Sequence, residues 1–248
     1  MTDPAAAREL QRIAETAARA PAGRLRTAFR SRPAVQTKRD FHDPVTEHDR
    51  AAEETVRAVL ARYAPTSVVV GEEGGTQGGG LPGGEDGGQD GEVRWYVDPI
   101  DGTANFAAGL PFFCTSVAAV VAGEVVAGAV YDPVRDDLFS AGPDGATCNG
   151  APLRSAGAAE DRTAVLVTGF PNARELRRGG TGSLHRFGRL VESFATVRRP
   201  GSAALSLAHV AGGWADAAYG VSVNAWDVAA ALLLVRRAGG VYLPLGGE

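Results

Sequence analysis

Apolar positions along this chain recur with two periods. Leu10, Ile13, Ala14 and Ala17 share one face of residues 3 to 20 at the three-and-four spacing of a helix, with Asp3 placed to cap it and Pro4 suited to its first position. The spacing returns as Val56, Val59, Leu60 and Tyr63 in PVTEHDRAAEETVRAVLARYAP, where Thr46 and Asp49 have the separation of a capping box and Pro65 ends the helix. Short apolar runs predict strands: SVVVGEE, which breaks into acid at Glu72 and Glu73, and VRWYVD. CTSVAAVVAGEVVAGAVYDPV predicts a hairpin turning at Ala122-Gly123-Glu124, and DLFSAG adds a further strand. Beyond Gly150 strands and helices alternate: TAVLVTG a strand, TGSLHRFGRLVESF and GSAALSLAHVAGG helices, WADAAYG a strand, AWDVAAALLLVRRAGG a helix closed by Gly-Gly, VYLPL a last strand.

Between Gly74 and Gly91, ten of eighteen residues are glycine, too little apolar surface to offset ordering entropy, so a mobile loop is expected there, and also a candidate lid. A strand-rich first half followed by alternating elements predicts a single domain over 1–248, with an N-terminal α+β subdomain about 1–145 and a C-terminal α/β subdomain about 146–248. The 248 residues suffice for a sizeable core. No apolar run approaches the length of a membrane span, and the charged, Ala-rich start is unlike a secretory signal, so a cytoplasmic protein without a membrane partner is the expectation. A formal net charge of −4 gives no basic footprint for a nucleic-acid polymer. Lys38 is the only lysine, and no Walker-type phosphate loop exists. Cys114 and Cys148 have no zinc or disulfide spacing, and Cys114 reads as strand filling.

The chemistry concentrates in WYVDPIDGTANF, residues 95 to 106. Asp98 and Asp101 stand where an apolar strand ends, Pro99 stiffens the link, and Gly102-Thr103 opens a turn whose first N–H groups lack partners. Two readings compete: an ordinary strand-to-helix turn with a capping Asp, or a place where cation and anion meet. If Glu72 and Asp227 converge there, four carboxylates require divalent metal, and oxygen-only ligands favour Mg²⁺ or Mn²⁺ over zinc. The spacing is neither that of an EF-hand nor that of an aspartyl-phosphate-forming phosphatase.

VGEEG (70–74), DPIDGT (98–103) and AWDVAAALLLVRRAGG (225–240), in this order, resemble the inositol monophosphatase family. DPVTEHD (43–49) looks like that family's D-x-V-T-x-x-D segment and GSAAL (201–205) like its glycine–small-residue helix start. The resemblance extends from about Lys38 to Gly240 and implies an α+β fold layered as an α-β-α-β-α sandwich. It implies a Mg²⁺-dependent, lithium-sensitive phosphomonoesterase with two or three metals. Glu72, Asp98 and the Ile100 carbonyl match the first metal's ligands; Asp98, Asp101 and Asp227 match the second's, and Glu72 with waters a third. Gly102 and Thr103 match the backbone donors to phosphate, and Asp49 with the Thr103 hydroxyl the pair that orients or deprotonates the attacking water. Glu72 is therefore counted as catalytic too, with Asp101, Lys38, Gly201, Ser202 and Ala203 on the phosphate or substrate side.

Two departures qualify the resemblance. Inositol-specific members carry an acid seven positions before the last metal-binding Asp; here that position is Gly220, so a sugar, nucleoside or other alcohol phosphate is expected instead. The chain also stops soon after Gly240, which weakens the expectation of the homodimer usual in the family. A 3′-phosphoadenosine-type phosphatase and a non-catalytic, fold-retaining binder are the alternatives.

Overall fold

The computed structural model describes residues 2–38, 42, 44–78 and 92–244. In chain order the helices are α1 (Pro4–Arg19), α2 (Ala22–Ala28), α3 (Glu47–Tyr63), α4 (Thr103–Ala108), α5 (Ala173–Ser193), α6 (Ala203–Ala211) and α7 (Ala225–Arg237). The strands are β1 (Val35–Thr37), β2 (Pro44–Thr46), β3 (Val68–Gly71), β4 (Gly75–Gly78), β5 (Val93–Asp101), β6 (Cys114–Val121) and β7 (Glu124–Asp132). They continue as β8 (Asp137–Gly142), β9 (Gly145–Cys148), β10 (Ala151–Pro152), β11 (Val165–Thr168), β12 (Thr196–Arg198) and β13 (Ala217–Tyr219).

Eight strands form one sheet in the order β10-β9-β8-β7-β6-β5-β3-β4, antiparallel except for the β3/β5 pair. Three form a parallel sheet, β12-β11-β13, and β1 pairs β2 as a ribbon. Because alternate side chains of a strand point to opposite faces, β6 feeds two cores at once. Val117 and Ala119 pack with Leu10, Ile13 and Ala14 of α1 and Val56 and Leu60 of α3, whereas Cys114 and Ala118 pack with Leu205, Ala230 and Leu234 of α6 and α7. The three-stranded sheet and α5 lie beyond α6, giving layers in the sequence helix, sheet, helix, sheet, helix. This is the expected α-β-α-β-α sandwich. At Gly128 of β7 the approach of α7 is so close that a Cβ would come 2.8 Å from Ala230 Cα, so only glycine fits.

Several expectations are corrected. VYLPL is not a strand: residues 241–244 have no regular structure and join no sheet, with Val241 77% and Leu243 71% exposed, so nothing pairs their backbone; Leu245 lies outside the described residues. Gly75–Gly78, placed in the glycine-rich loop, pairs with β3 as an edge strand, because main-chain hydrogen bonds form whatever the side chain; residues 79–91 lie outside the described residues. The helix expected at Thr181 begins at Ala173, behind an Asn172–Glu175 capping box, and breaks at Gly180. Among the described residues, no helix is long and apolar enough to cross a membrane.

Candidate active site

Asp98 and Asp101 end β5, and the pairing of that strand decides where they point. Asp98 stands opposite Ser116 and Asp101 opposite Cys114, so three steps on β5 match two on β6. The extra residue is a β-bulge. Without it, residues three apart would face opposite sides of the sheet. With it, both aspartates face the side covered by α6 and α7. Cys114 Sγ lies 3.9 Å from Asp101 Oδ2, and Ser116 Oγ is 3.4 Å from the Trp226 carbonyl at the start of α7.

Both carboxylates are buried, Asp98 2% and Asp101 9% exposed. Asp98 Oδ1 accepts from the Ile100 N–H at 3.0 Å, closing the turn over Pro99. Asp101 receives the start of α6: Ser202 Oγ donates to its Oδ2 at 2.6 Å, as does the Ala204 N–H at 2.6 Å, and the Ala203 N–H reaches Oδ1 at 3.2 Å. The Ser202 and Ala203 donors expected on the phosphate side thus close on Asp101.

Asp227 is the third residue of α7, where Oδ2 accepts from the Asn224 N–H at 2.7 Å. Glu72 follows β3, and its Oε1 is 2.8 Å from Lys38 Nζ. Burial, then the charges of Glu72, Asp101 and Asp227, push the Asp98 carboxyl well above its usual range. Burial also raises Asp101, against the hydrogen bonds from Ser202 and Ala204, and pushes Asp227 up to about 7. The charge of Glu72 thus bears on all three of these carboxyls. Burial works against the Lys38 charge, but Glu72 and Glu73 outweigh it and hold the ammonium more strongly protonated than usual.

Asp49, fully buried at the start of α3, uses its two oxygens differently. Oδ2 accepts from the Thr46 N–H at 2.8 Å and the Thr46 hydroxyl at 2.7 Å, closing the capping box; Oδ1 lies 2.7 Å from Thr103 Oγ1. The same Thr103 hydroxyl is 3.0 Å from the Ile100 carbonyl, but a carboxylate is the stronger acceptor for its single proton. Gly102 caps α4 at φ +99°, where a Cβ would sit 3.0 Å from the Phe112 carbonyl and 3.3 Å from that of Gly201. Asn105 ties this turn to the second sheet's side, donating to Phe112 O at 2.7 Å and Pro200 O at 2.6 Å.

The inositol monophosphatase family model matches residues 6–248. This chain belongs to that family. The Nus factor SuhB of Pseudomonas aeruginosa is 39% identical over 212 residues, 85% of this chain and 76% of that protein. The protein of the same name from Escherichia coli K12 is 36% identical over 237 residues, 95% of this chain and 85% of that one. Among solved structures, extragenic suppressor protein suhB from Bartonella henselae matches with a TM-score of 0.82 at 31% identity, covering 93% of this chain and 85% of that one. An inositol monophosphatase from Anabaena matches with a TM-score of 0.78 at 34% identity, covering 93% and 81%.

The candidate residues lie at the ends of β3 and β5 and the starts of α3, α4 and α7, with Gly201 to Ala203 beside Asp101 and Gly220 exposed just after β13. A side chain at Gly220 would meet only Val223, at 3.5 Å, so the position accepts one. Among the described residues, no three Asp, Glu, His or Cys side chains already stand as a ligand set. Asp101 is drawn to α6, Asp227 to its cap and Glu72 to Lys38. The donor chemistry nevertheless fits a hard divalent cation: oxygen only, and buried carboxylates whose mutual repulsion a cation relieves. The sequence reading missed Asn105, whose role lies in tertiary contacts, and Glu53 with Arg57 on α3. Those two follow Asp49 at four-residue intervals, a charged stripe facing inward, and that spacing was the available signal.

Proposed function

We propose that this chain is a Mg²⁺-dependent phosphatase that hydrolyses a small phosphomonoester by direct attack of water, without a phosphoenzyme. The observation that carries the reading is the Asp49–Thr103 hydrogen bond beside three carboxylates, Asp98, Asp101 and Asp227, each raised by burial and by the charge of Glu72. Asp49 holds the Thr103 proton, so the lone pairs of Oγ1 remain to accept from a water and aim it. Gly102 and Thr103 open α4, whose first N–H groups have no intrahelical acceptor and suit phosphate oxygens. Glu72, Asp98, the Ile100 carbonyl, Asp101 and Asp227 would hold the cations. Bound Mg²⁺ supplies charge neutralisation of the phosphate, a more acidic water and stabilisation of the leaving alkoxide.

The exposed Gly220 supports a substrate other than inositol phosphate: a sugar or nucleoside phosphate, including a 3′-phosphoadenosine-type nucleotide. Relatives named Nus factor SuhB support a second reading, a non-catalytic binding role. Phosphate release with and without Mg²⁺ separates the two, measured on inositol 1-phosphate, sugar phosphates and 2′- or 3′-phosphonucleosides. Mg²⁺-dependent release from at least one is expected. No release from any member of the panel would overturn the enzymatic reading.

A further inference from the structure

Glu53 lies one turn beyond Asp49 on α3, and is 2% exposed. Its carboxylate does not point to the cluster above. It accepts from the Glu73 N–H at 2.8 Å through Oε2, and through Oε1 from the Gly74 N–H at 2.8 Å and Arg57 Nε at 2.8 Å. Arg57 continues the clasp, donating to the Gly75 carbonyl at 2.6 Å and the Val69 carbonyl at 3.4 Å. The turn presses onto this pair: a Cβ at Gly71 would sit 2.5 Å, and one at Gly74 2.7 Å, from the Glu53 carboxylate. Two glycines therefore bracket Glu72-Glu73 so that their backbone can rest on a buried acid.

The geometry points to Glu53 as the positioning residue for Glu72: it fastens turn 71–74 to α3, the helix that also carries Asp49. The sheet already holds Glu72 beside Asp98, since the Glu72 N–H donates to the Val97 carbonyl at 3.1 Å; the clasp on Glu53 adds its placement relative to Asp49. The inference rests on the proposed function, which gives Glu72 to the metal. A carboxylate suits this place because it only accepts, and three N–H donors converge on it. A glutamine of the same shape turns an NH₂ toward at least one of those donors and leaves a buried amide unsatisfied. Loss of a group that orients a metal ligand without touching the metal typically weakens metal affinity or activity by about 10–100-fold.

Glu53→Gln in the full chain tests this. Three quantities are measured: Mg²⁺ binding by calorimetry on the folded variant, the Mg²⁺ dependence and kcat of phosphate release, and amide exchange at residues 73 and 74. Mg²⁺ affinity is expected to weaken about tenfold, with kcat at saturating Mg²⁺ within about twofold of wild type. Exchange at 73 and 74 should accelerate while β6 amides keep their protection. A variant that only loses thermal stability, with its Mg²⁺ constant within about twofold of wild type, overturns the inference. If Glu53→Gln does not fold, Arg57→Gln removes the guanidinium and keeps the carboxylate. It should shift the Mg²⁺ constant in the same direction, about threefold, and an unshifted constant overturns the inference equally. A wild-type chain that neither binds Mg²⁺ nor releases phosphate defeats the proposed function and this inference together; an active wild type with an unshifted variant defeats this inference alone.

Discussion

Thr103 Oγ1 lies 2.7 Å from Asp49 Oδ1 across 54 residues of sequence, while the other oxygen of Asp49 starts a helix. One carboxylate is at once a structural cap and the acceptor that sets a hydroxyl's direction. The division matters because a cap is rigid, and the rigidity passes to Thr103.

Thr103→Val removes the hydroxyl and keeps the shape. Steady-state kinetics should show kcat lower by about 10²–10⁴-fold with Mg²⁺ affinity little changed. Thr103→Ser should recover most of the loss. A Val variant turning over at near-wild-type rate would refute the orienting role.

Asp98→Asn should abolish Mg²⁺-dependent phosphate release. The Asp98 carboxyl is raised by burial and by Glu72, so its negative charge opposes folding at neutral pH when no cation is bound. The variant should therefore melt higher than wild type in EDTA, by roughly 2–4 °C for each kcal/mol of repulsion relieved. Added Mg²⁺ should raise the Tm of wild type and not of the variant. Equal Mg²⁺ stabilisation of both would remove Asp98 from the ligand set.

Gly102→Ala meets a positive φ and a carbonyl 3.0 Å from the new Cβ. A loss of about 1–3 kcal/mol is expected in urea denaturation, together with reduced phosphate release. Unchanged stability would mean that the turn relaxes at no cost.

Gly220→Glu tests the substrate reading. The position is exposed and a side chain fits, so the variant should fold as wild type does and gain kcat/KM on inositol 1-phosphate relative to a sugar phosphate. No change in that ratio would detach Gly220 from specificity.

His209, packed edge-on against Phe112 and Trp214, has its pKa lowered to about 4, first by burial and then by Arg135. Between about pH 6.5 and 4 the unfolded chain takes up a proton that the folded chain refuses, so this group's contribution to stability falls as pH falls. His209→Leu should remove that slope. Relative to the variant, wild type should lose on the order of 2 kcal/mol over this range in urea titrations. Parallel pH curves for the two proteins would contradict it. Comparing the two cancels the carboxylates, whose raised values act with the opposite sign.

Local patterns carried α1, α3, α7 and the β6–β7 hairpin, because periodicity and caps are properties of neighbouring residues. α2 and the short strands β1, β9, β10 and β12 were not legible; two to seven residues hold too little pattern, and pairing partners supply their order. The same limit explains why Gly75–Gly78 read as loop: nothing in GTQG announces a strand until β3 offers its edge. Glu53 drew no reading from the sequence, since its burial is made by a turn some twenty residues away.

By itself, the sequence determined which acids are available, that they stand at strand ends and helix starts, and that glycines flank them, since these follow from residue type and short-range spacing. Tertiary structure decided which way the acids face. Alternation along β5 would send Asp98 and Asp101 to opposite faces; only the register against β6, with one residue bulged, turns both toward α7 and Asp227. Register belongs to two strands and not to either one, which is why no single stretch of chain contains it.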